Sequence, residues 1–260
     1  LLNLVGELVT IVNRLKLLQK DYNLGSLDEA LSKLGLLTGT IRNEVMNSRL
    51  IPLEQVIDKF PRLVRDIAQK QGKEVELRII GGDIELDRSV LDKIDEPLVH
   101  LLKNAIDHGI ETKDERIKSK KENPIIELKA VKEKDRVLIS VADNGHGINL
   151  AEVRKALTEK KMLPKQDVNK LSDNEVLNYI FQTGFSTAKE VTETSGRGIG
   201  LNIVKSSVES LGGLVYIDSK ENIGTTITMG LPLSIAIIKS LLLQVGSEIY
   251  GLPVSNVREI

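Results

Sequence analysis

Residues 100–109, His-Leu-Leu-Lys-Asn-Ala-Ile-Asp-His-Gly, gather two of the chain's three histidines around one asparagine, with an aspartate three residues further on. At helical spacing His100, Asn104, Asp107 and His108 share one face, while Leu101, Leu102, Ala105 and Ile106 fall largely on the other. The polar stripe therefore needs partners of its own. A carboxamide oxygen such as that of Asn104 suits Mg²⁺, a hard cation that keeps several waters and takes its remaining ligands from phosphates. His100, one turn earlier, can accept a proton or orient a nucleophile. Each also has an ordinary reading: Asn104 as an exposed or capping residue, His100 satisfied by backbone, and His108 as a cation against the helix C-terminus.

Three further segments offer chemistry. Val141 to Ile148 reads Val-Ala-Asp-Asn-Gly-His-Gly-Ile after a β-branched run, so Asp143 stands at a strand end. Asn144-Gly145 is there either as a plain hairpin turn or because Gly145 and Gly147 let backbone pass close to a base. In the second case Asp143 accepts a hydrogen bond from the exocyclic amine of adenine. Ser195-Gly196-Arg197-Gly198-Ile199-Gly200-Leu201 leads glycine-rich backbone into a helix N-terminus, which offers free N–H groups to phosphate oxygens. The spacing is not the dinucleotide Gly-x-Gly-x-x-Gly, and no strand immediately precedes it. The polar stretch from Gly184-Phe185-Ser186-Thr187 through Thr194 keeps neither period and reads as a mobile cover. Gly224-Thr225-Thr226 places hydroxyls at a strand start, as an ordinary edge or as a nucleotide contact.

The elements that would position these segments follow from periodicity. Apolar residues at 1, 5, 8, 12 and 15, and again Leu31, Leu34, Thr38, Ile41 and Val45, predict two long helices joined by a turn at Tyr22 to Gly25. Ser26-Leu27-Asp28-Glu29 has the form of a capping box for the second. At 1.5 Å per residue each arm is roughly 30 Å long and carries more leucine than its partner covers. A four-helix bundle of two chains would cover the excess; packing within one chain is the alternative. Leu53 to Gln71 reads as a further helix, Glu74 to Ile80 as a strand, and Asp87 as the cap of a long helix ending at Gly109. A lysine-rich loop from Lys113 to Glu122 leads to strands at Ile125 to Lys132 and Arg136 to Ala142. Helices near Asn149 to Lys161, Asp173 to Phe181 and Leu201 to Leu211, and strands at Val215 to Asp218 and Thr225 to Leu231, complete a layered α/β sandwich on a mixed sheet. Leu241 to Val245 and Glu248 to Pro253 read as a fresh hairpin turning at Gly246-Ser247. The expected division is residues 1–51, 52–233 and 234–260, and the chain reads as a piece of a longer protein.

Composition bounds the partners. Lys+Arg of 36 against Asp+Glu of 37 leaves a net charge of −1, with no electrostatic footprint for nucleic acid or an anionic bilayer. The chain has no cysteine, hence no disulfide and no thiolate metal site, and no apolar run long enough for a membrane span. A cytoplasmic setting is expected.

Taken in order, the four segments resemble the nucleotide-binding boxes of the GHKL ATP-binding fold, shared by histidine kinases, gyrase-type topoisomerases, Hsp90 and MutL. The resemblance spans roughly Pro52 to Pro232. HLLKNAIDHGIE, GFST, SGRGIGL and LPLSIAI are similar to the CheA family of chemotaxis histidine kinases in particular. LLNLVGELV and RLIPLEQVIDKFPRLVRDIA resemble that family's dimerisation hairpin and the start of its kinase domain, and residues 234–260 resemble the first strands of its CheW-like regulatory domain. One departure is Asn144-Gly145-His146, where the family more often shows an acidic or small residue and then Arg, Lys or Ala.

The resemblance implies a homodimer formed by the hairpin, ATP as donor, Mg²⁺ held by Asn104 and the phosphates, and a histidine acceptor. It implies catalytic roles for His100, Lys103 and Asn104. The nucleotide pocket would run through Asp107, His108, Asp143, Gly145, Gly147, Ile148, Ser186, Gly196, Arg197, Gly198, Gly200, Leu201, Thr225 and Thr226. It further implies a CheW-type coupling protein, chemoreceptors and response regulators as partners. All three histidines, His100, His108 and His146, fall inside that pocket. The acceptor is therefore expected on a separate phosphotransfer domain. Related ATPases place a glutamate four residues before the metal asparagine to activate water. That position is His100 here, and Glu96 lies a turn further back, so hydrolysis is expected to be slow.

Overall fold

The computed structural model describes residues 2–22, 27–119, 121, 123–134, 136–182, 184–185, 200–233, 240–246 and 248–253. The chain divides into two compact units, Leu1–Leu50 with Ser234–Ile260, and Ile51–Leu233.

In the first unit α1 (Leu2–Asp21) and α2 (Asp28–Asn47) pack as a hairpin. Val5, Val12, Leu31 and Thr38 form its seam, whereas Leu4, Leu17, Leu36 and Leu37 are exposed. Of the heptad positions, Leu15, Leu34 and Ile41 are likewise left exposed by the hairpin. Leu27 is the cap residue of α2 and makes no side-chain capping bond. Ser26, expected in that role, lies outside the described residues.

The second unit begins with β1 (Leu50–Pro52), α3 (Glu54–Ile57) and α4 (Phe60–Lys70). The single helix expected over Leu53 to Gln71 is therefore two. The break falls at Asp58-Lys59, just before Pro61 in the first turn of α4, where a missing N–H costs nothing. Leu53, Ile57, Phe60 and Val64 are all buried, so both pieces point their apolar side the same way. Next come β2 (Glu76–Ile80), β3 (Glu85–Asp87), which pairs with β1, and α5 (Arg88–Asn104). Asp87 caps α5 as expected, its carboxylate accepting from the Ser89 N–H at 2.8 Å. α5 runs into a π-helical turn, Ala105–Gly109, closed by the Ile110 N–H donating to the Ala105 carbonyl at 2.8 Å.

The expected loop at Lys113 to Glu122 contains α6 (Lys113–Lys118), started by a capping box between Thr112 and Glu115. Thr-Lys-Asp-Glu was the available signal, hidden among lysines. β4 (Ile125–Glu133) and β5 (Arg136–Asp143) follow, then α7 (Leu150–Glu159), α8 (Lys165–Val168), α9 (Asp173–Asn178) with a 3₁₀ turn at Tyr179–Phe181, α10 (Leu201–Ser210), β6 (Leu214–Lys220) and β7 (Gly224–Pro232). β8 (Ser240–Val245) and β9 (Glu248–Pro253) form the antiparallel hairpin read near the C-terminal end.

The five-stranded sheet has the order β2-β4-β5-β7-β6, with β2 parallel to β4 and every other pair antiparallel. Ile126, Leu128, Val137, Ile139, Ile227 and Met229 point from its inner face into a core shared with α5 and α10. Lys129, Ser140 and Thr228 lie across from one another on the outer face. Such period-2 sidedness marks a sheet with helices on one side only. The helical hairpin followed by an α/β sandwich on a mixed sheet is the fold class expected from the sequence.

Candidate functional site

α5 is anchored by Leu91, Ile94, Leu98, Leu101 and Leu102, all buried, and this fixes the azimuth of His100 and Asn104. His100 is largely buried, and its Nε2 is enclosed with no hydrogen-bond partner among the described residues. Burial, then the nearby Lys103 charge, hold His100 below the usual imidazole pKa, against weaker pulls from Asp107 and Glu96. It is therefore a neutral imidazole at neutral pH. Asn104 is half-buried and makes no side-chain hydrogen bond among the described residues. An orphaned ring nitrogen one turn from an uncommitted carboxamide is what a site prepared for an external polar group presents.

The stripe does not continue unbroken. The π-helical turn inserts an extra residue into the winding, and Asp107 is taken by Gln71, whose amide donates to its carboxylate. Lys73 donates to the carbonyls of Ile106 at 2.6 Å and Asp107 at 3.3 Å, closing the turn from the α4 side. His108 is exposed.

Asp143 ends β5 opposite Thr225 of β7 and Ile126 of β4, on the inner face. Burial pushes its carboxyl pKa up, and N–H groups of Gly145 and Thr225 pull it back. The Gly145 bond is 2.9 Å long. Gly109 stops the helix here, but not through a left-handed backbone. A Cβ on Gly109 would lie 2.9 Å from the Asp143 Cγ, and one on Gly145 would lie 1.9 Å from the Gly109 carbonyl oxygen. Helix end and strand end thus meet at two glycines, and the carboxylate fills the space a side chain would occupy.

Gly147 adopts φ +69°, in the region open to glycine, and leads to Ile148, whose N–H donates to the Ser219 hydroxyl at 2.9 Å. That hydroxyl also contacts Thr225 Oγ1 at 2.9 Å. Thr225 therefore shares the Asp143 side of the sheet. Thr226 does not: in register with Ala142 and Asp218, it lies on the outer face. His146 is exposed, its N–H donating to the Gly109 carbonyl at 3.0 Å. Gly200 caps α10 and Leu201 opens it, and α10 packs against α5. Ser186, Gly196, Arg197 and Gly198 lie outside the described residues.

One group of residues was missed from sequence. Glu111, Arg116 and Lys121 form an ion triad with side chains only 9%, 6% and 13% exposed, directly behind the Asn144-Gly145 turn. Among the described residues no cluster of three His, Asp or Glu could hold a metal ion. The carboxamide oxygen of Asn104, half-buried and without a partner among the described residues, is of the donor type a hard divalent cation takes.

The sequence profile of the histidine kinase-, DNA gyrase B-, and HSP90-like ATPases matches residues 92–235. That is more than half of the chain, which belongs to this family. Along its length the chain is similar to chemotaxis kinases. A chemotaxis protein CheA of Halobacterium salinarum is 42% identical over 258 residues, covering 99% of this chain and 38% of its own. A sensor histidine kinase CheAY of Helicobacter pylori is 39% identical over 268 residues, covering 100% of this chain and 33% of its own. The chain thus spans a third to two fifths of the length of these relatives. Among solved structures, the catalytic domain of histidine kinase ThkA superposes with a TM-score of 0.46 at 19% identity, over 72% of this chain and 95% of that one.

Proposed function

We propose that this chain is the ATP-binding catalytic core of a chemotaxis histidine kinase, moving the γ-phosphoryl group of ATP to a histidine on a separate phosphotransfer domain. The observation that carries this reading is the buried Nε2 of His100, without a partner among the described residues, one turn before Asn104. A general base or orienting acceptor needs a free nitrogen at neutral pH, and burial beside Lys103 keeps this one unprotonated. His100 holds the incoming imidazole by its N–H, or takes that proton as the phosphoryl group arrives. Lys103 offsets negative charge on the transferring group, and the N-terminal end of α10, opening at Gly200, does the same. Asn104 would hold Mg²⁺ through its amide oxygen, the metal supplying charge neutralisation along the phosphates. Asp143, kept from bulk water by Gly109 and Gly145, accepts from the purine amine.

Water activation lacks its usual carboxylate. Glu96 sits two turns before Asn104 and is exposed, so phosphoryl transfer to imidazole is favoured over hydrolysis. In this reading α1 and α2 pair with a second copy through their exposed leucines. Residues 234–260 begin a regulatory domain for a CheW-type coupling protein and chemoreceptors, and response regulators receive the phosphoryl group. No helix among the described residues is long and apolar enough to cross a membrane, which accords with the cytoplasmic setting proposed.

Titration with ATP and Mg²⁺, followed by labelled ATP with an isolated acceptor domain, tests the reading. Saturable binding and label on the acceptor histidine are expected. Steady turnover of ATP without any acceptor would instead identify an ATPase, and absence of binding at millimolar nucleotide would remove the proposal.

A further inference from the structure

The Glu111–Arg116–Lys121 triad is not explained by charge pairing alone. Glu111 accepts from Arg116 Nη1 at 2.7 Å through one oxygen and from Lys121 through the other. Burial would raise its pKa, but the two cations and a backbone bond more than offset this and hold it ionised. Both cations then reach on to backbone. Arg116 Nη1 donates to the Asn144 carbonyl at 3.3 Å, and Lys121 Nζ donates to the Gly145 carbonyl at 2.7 Å.

A trans peptide points its C=O and N–H in opposite directions, so gripping one aims the other. The plane joining Asn144 to Gly145 has its carbonyl on Arg116, and its N–H meets the Asp143 carboxylate at 2.9 Å. The next plane has its carbonyl on Lys121, and its N–H, from His146, meets the Gly109 carbonyl at 3.0 Å. Two buried cations behind the turn thus aim two N–H groups in front of it. One sets the Asp143 oxygen; the other pins Gly109 against it. Glu111, two residues after Gly109, ties the cations to the segment that leaves the helix.

We infer that Glu111, Arg116 and Lys121 are positioning residues that set the Asp143 carboxylate for purine recognition by fixing the two peptide planes of Asn144-Gly145-His146. This rests on the reading of Asp143 as the acceptor for the adenine amine. Adenine presents a donor at its sixth position and guanine an acceptor oxygen, which a carboxylate repels. Loss of the clamp therefore acts on base choice, not only on affinity.

The test is calorimetric titration of the whole chain with ATP and with GTP, each with Mg²⁺, for the wild type, Lys121→Met, Lys121→Arg and Glu111→Gln. Lys121→Met is expected to weaken ATP about tenfold while GTP changes little, shrinking the preference for ATP by a similar factor. Lys121→Arg, which keeps a donor for the Gly145 carbonyl, is expected to retain most of the preference. Should Lys121→Met fold poorly in thermal melts, Glu111→Gln, which keeps the shape but sets an NH₂ donor against one of the two cations, is expected to show the same change in ratio. An unchanged ATP-to-GTP ratio in both variants overturns the clamp, and so does parallel loss of both nucleotides. If the wild type binds neither nucleotide, the kinase-core reading itself has failed. A wild type that prefers ATP beside variants that keep the preference sinks the clamp alone.

Discussion

Gly109 and Asp143 occupy one another's space: a single methyl group on the glycine would meet all three terminal atoms of the carboxyl at 2.9 to 3.0 Å. The end of α5 and the end of β5 are thereby locked at the place where a base would be read. Gly109→Ala must push the carboxylate aside. It is expected to cost roughly 1–3 kcal/mol of stability by overpacking and to weaken ATP binding in the same variant. Thermal denaturation with and without ATP measures both effects, and a variant with wild-type affinity would show that Asp143 does not face the nucleotide.

Asn104→Ala removes a side chain that has no protein partner among the described residues, so the fold should be indifferent. Its effect should fall on the metal. The stimulation of ATP affinity by Mg²⁺ is expected to drop by about tenfold or more, while metal-free affinity changes little. Titrations in EDTA and in excess Mg²⁺ separate the two.

At Asp143 stability and function are expected to oppose each other. Its pKa is raised by burial, so its favourable contribution is present at low pH and lost as the pH rises through the folded value. Above that value an ionised, buried carboxylate remains. Asp143→Asn removes that charge while keeping an oxygen for the Gly145 N–H, and should melt no lower than the wild type. ATP binding should nevertheless fall about tenfold through loss of a charged acceptor. A melting temperature and an affinity that fall together would contradict this.

His100 gives the opposite pH sign. Its pKa is lowered in the fold, chiefly by burial and then by Lys103, so the unfolded chain takes up the proton first. Stability associated with the neutral ring is full above about pH 6.5 and erodes as the pH falls below it. His100→Gln should flatten that part of the stability profile. It should also slow phosphoryl transfer to an added acceptor domain without weakening ATP binding comparably. Denaturation midpoints between pH 5 and 8, paired with transfer assays, check both.

Much of this arrangement was legible because the residues concerned obey simple periodicity or sit at element ends. The α5 stripe, the Asp87 cap and Asp143 at a strand terminus are of this kind. Where sequence failed, a tertiary cause can be named. Lys113 to Glu122 read as a lysine-rich loop, yet Arg116 and Lys121 are drawn inward by Glu111 and by two carbonyls remote in sequence. Thr226 looked equivalent to Thr225, but a strand sends neighbours to opposite faces, and only register tells which face is covered. Leu53 to Gln71 kept one apolar period across a break that Pro61 permits but does not dictate. Gly109 was read as a helix stop, while its smallness answers to a carboxylate thirty-four positions away.

The π-helical turn at Ala105–Gly109 lets one continuous stretch of chain serve two stations that a regular coil could not serve together. Excising one residue between Asn104 and Gly109 would restore ordinary winding and satisfy the backbone at least as well. It would also rotate Gly109 by about 100° out of its seat beside Asp143, leaving the phosphate and base ends of the proposed site out of phase. In the proposed site the surplus residue works as a spacer.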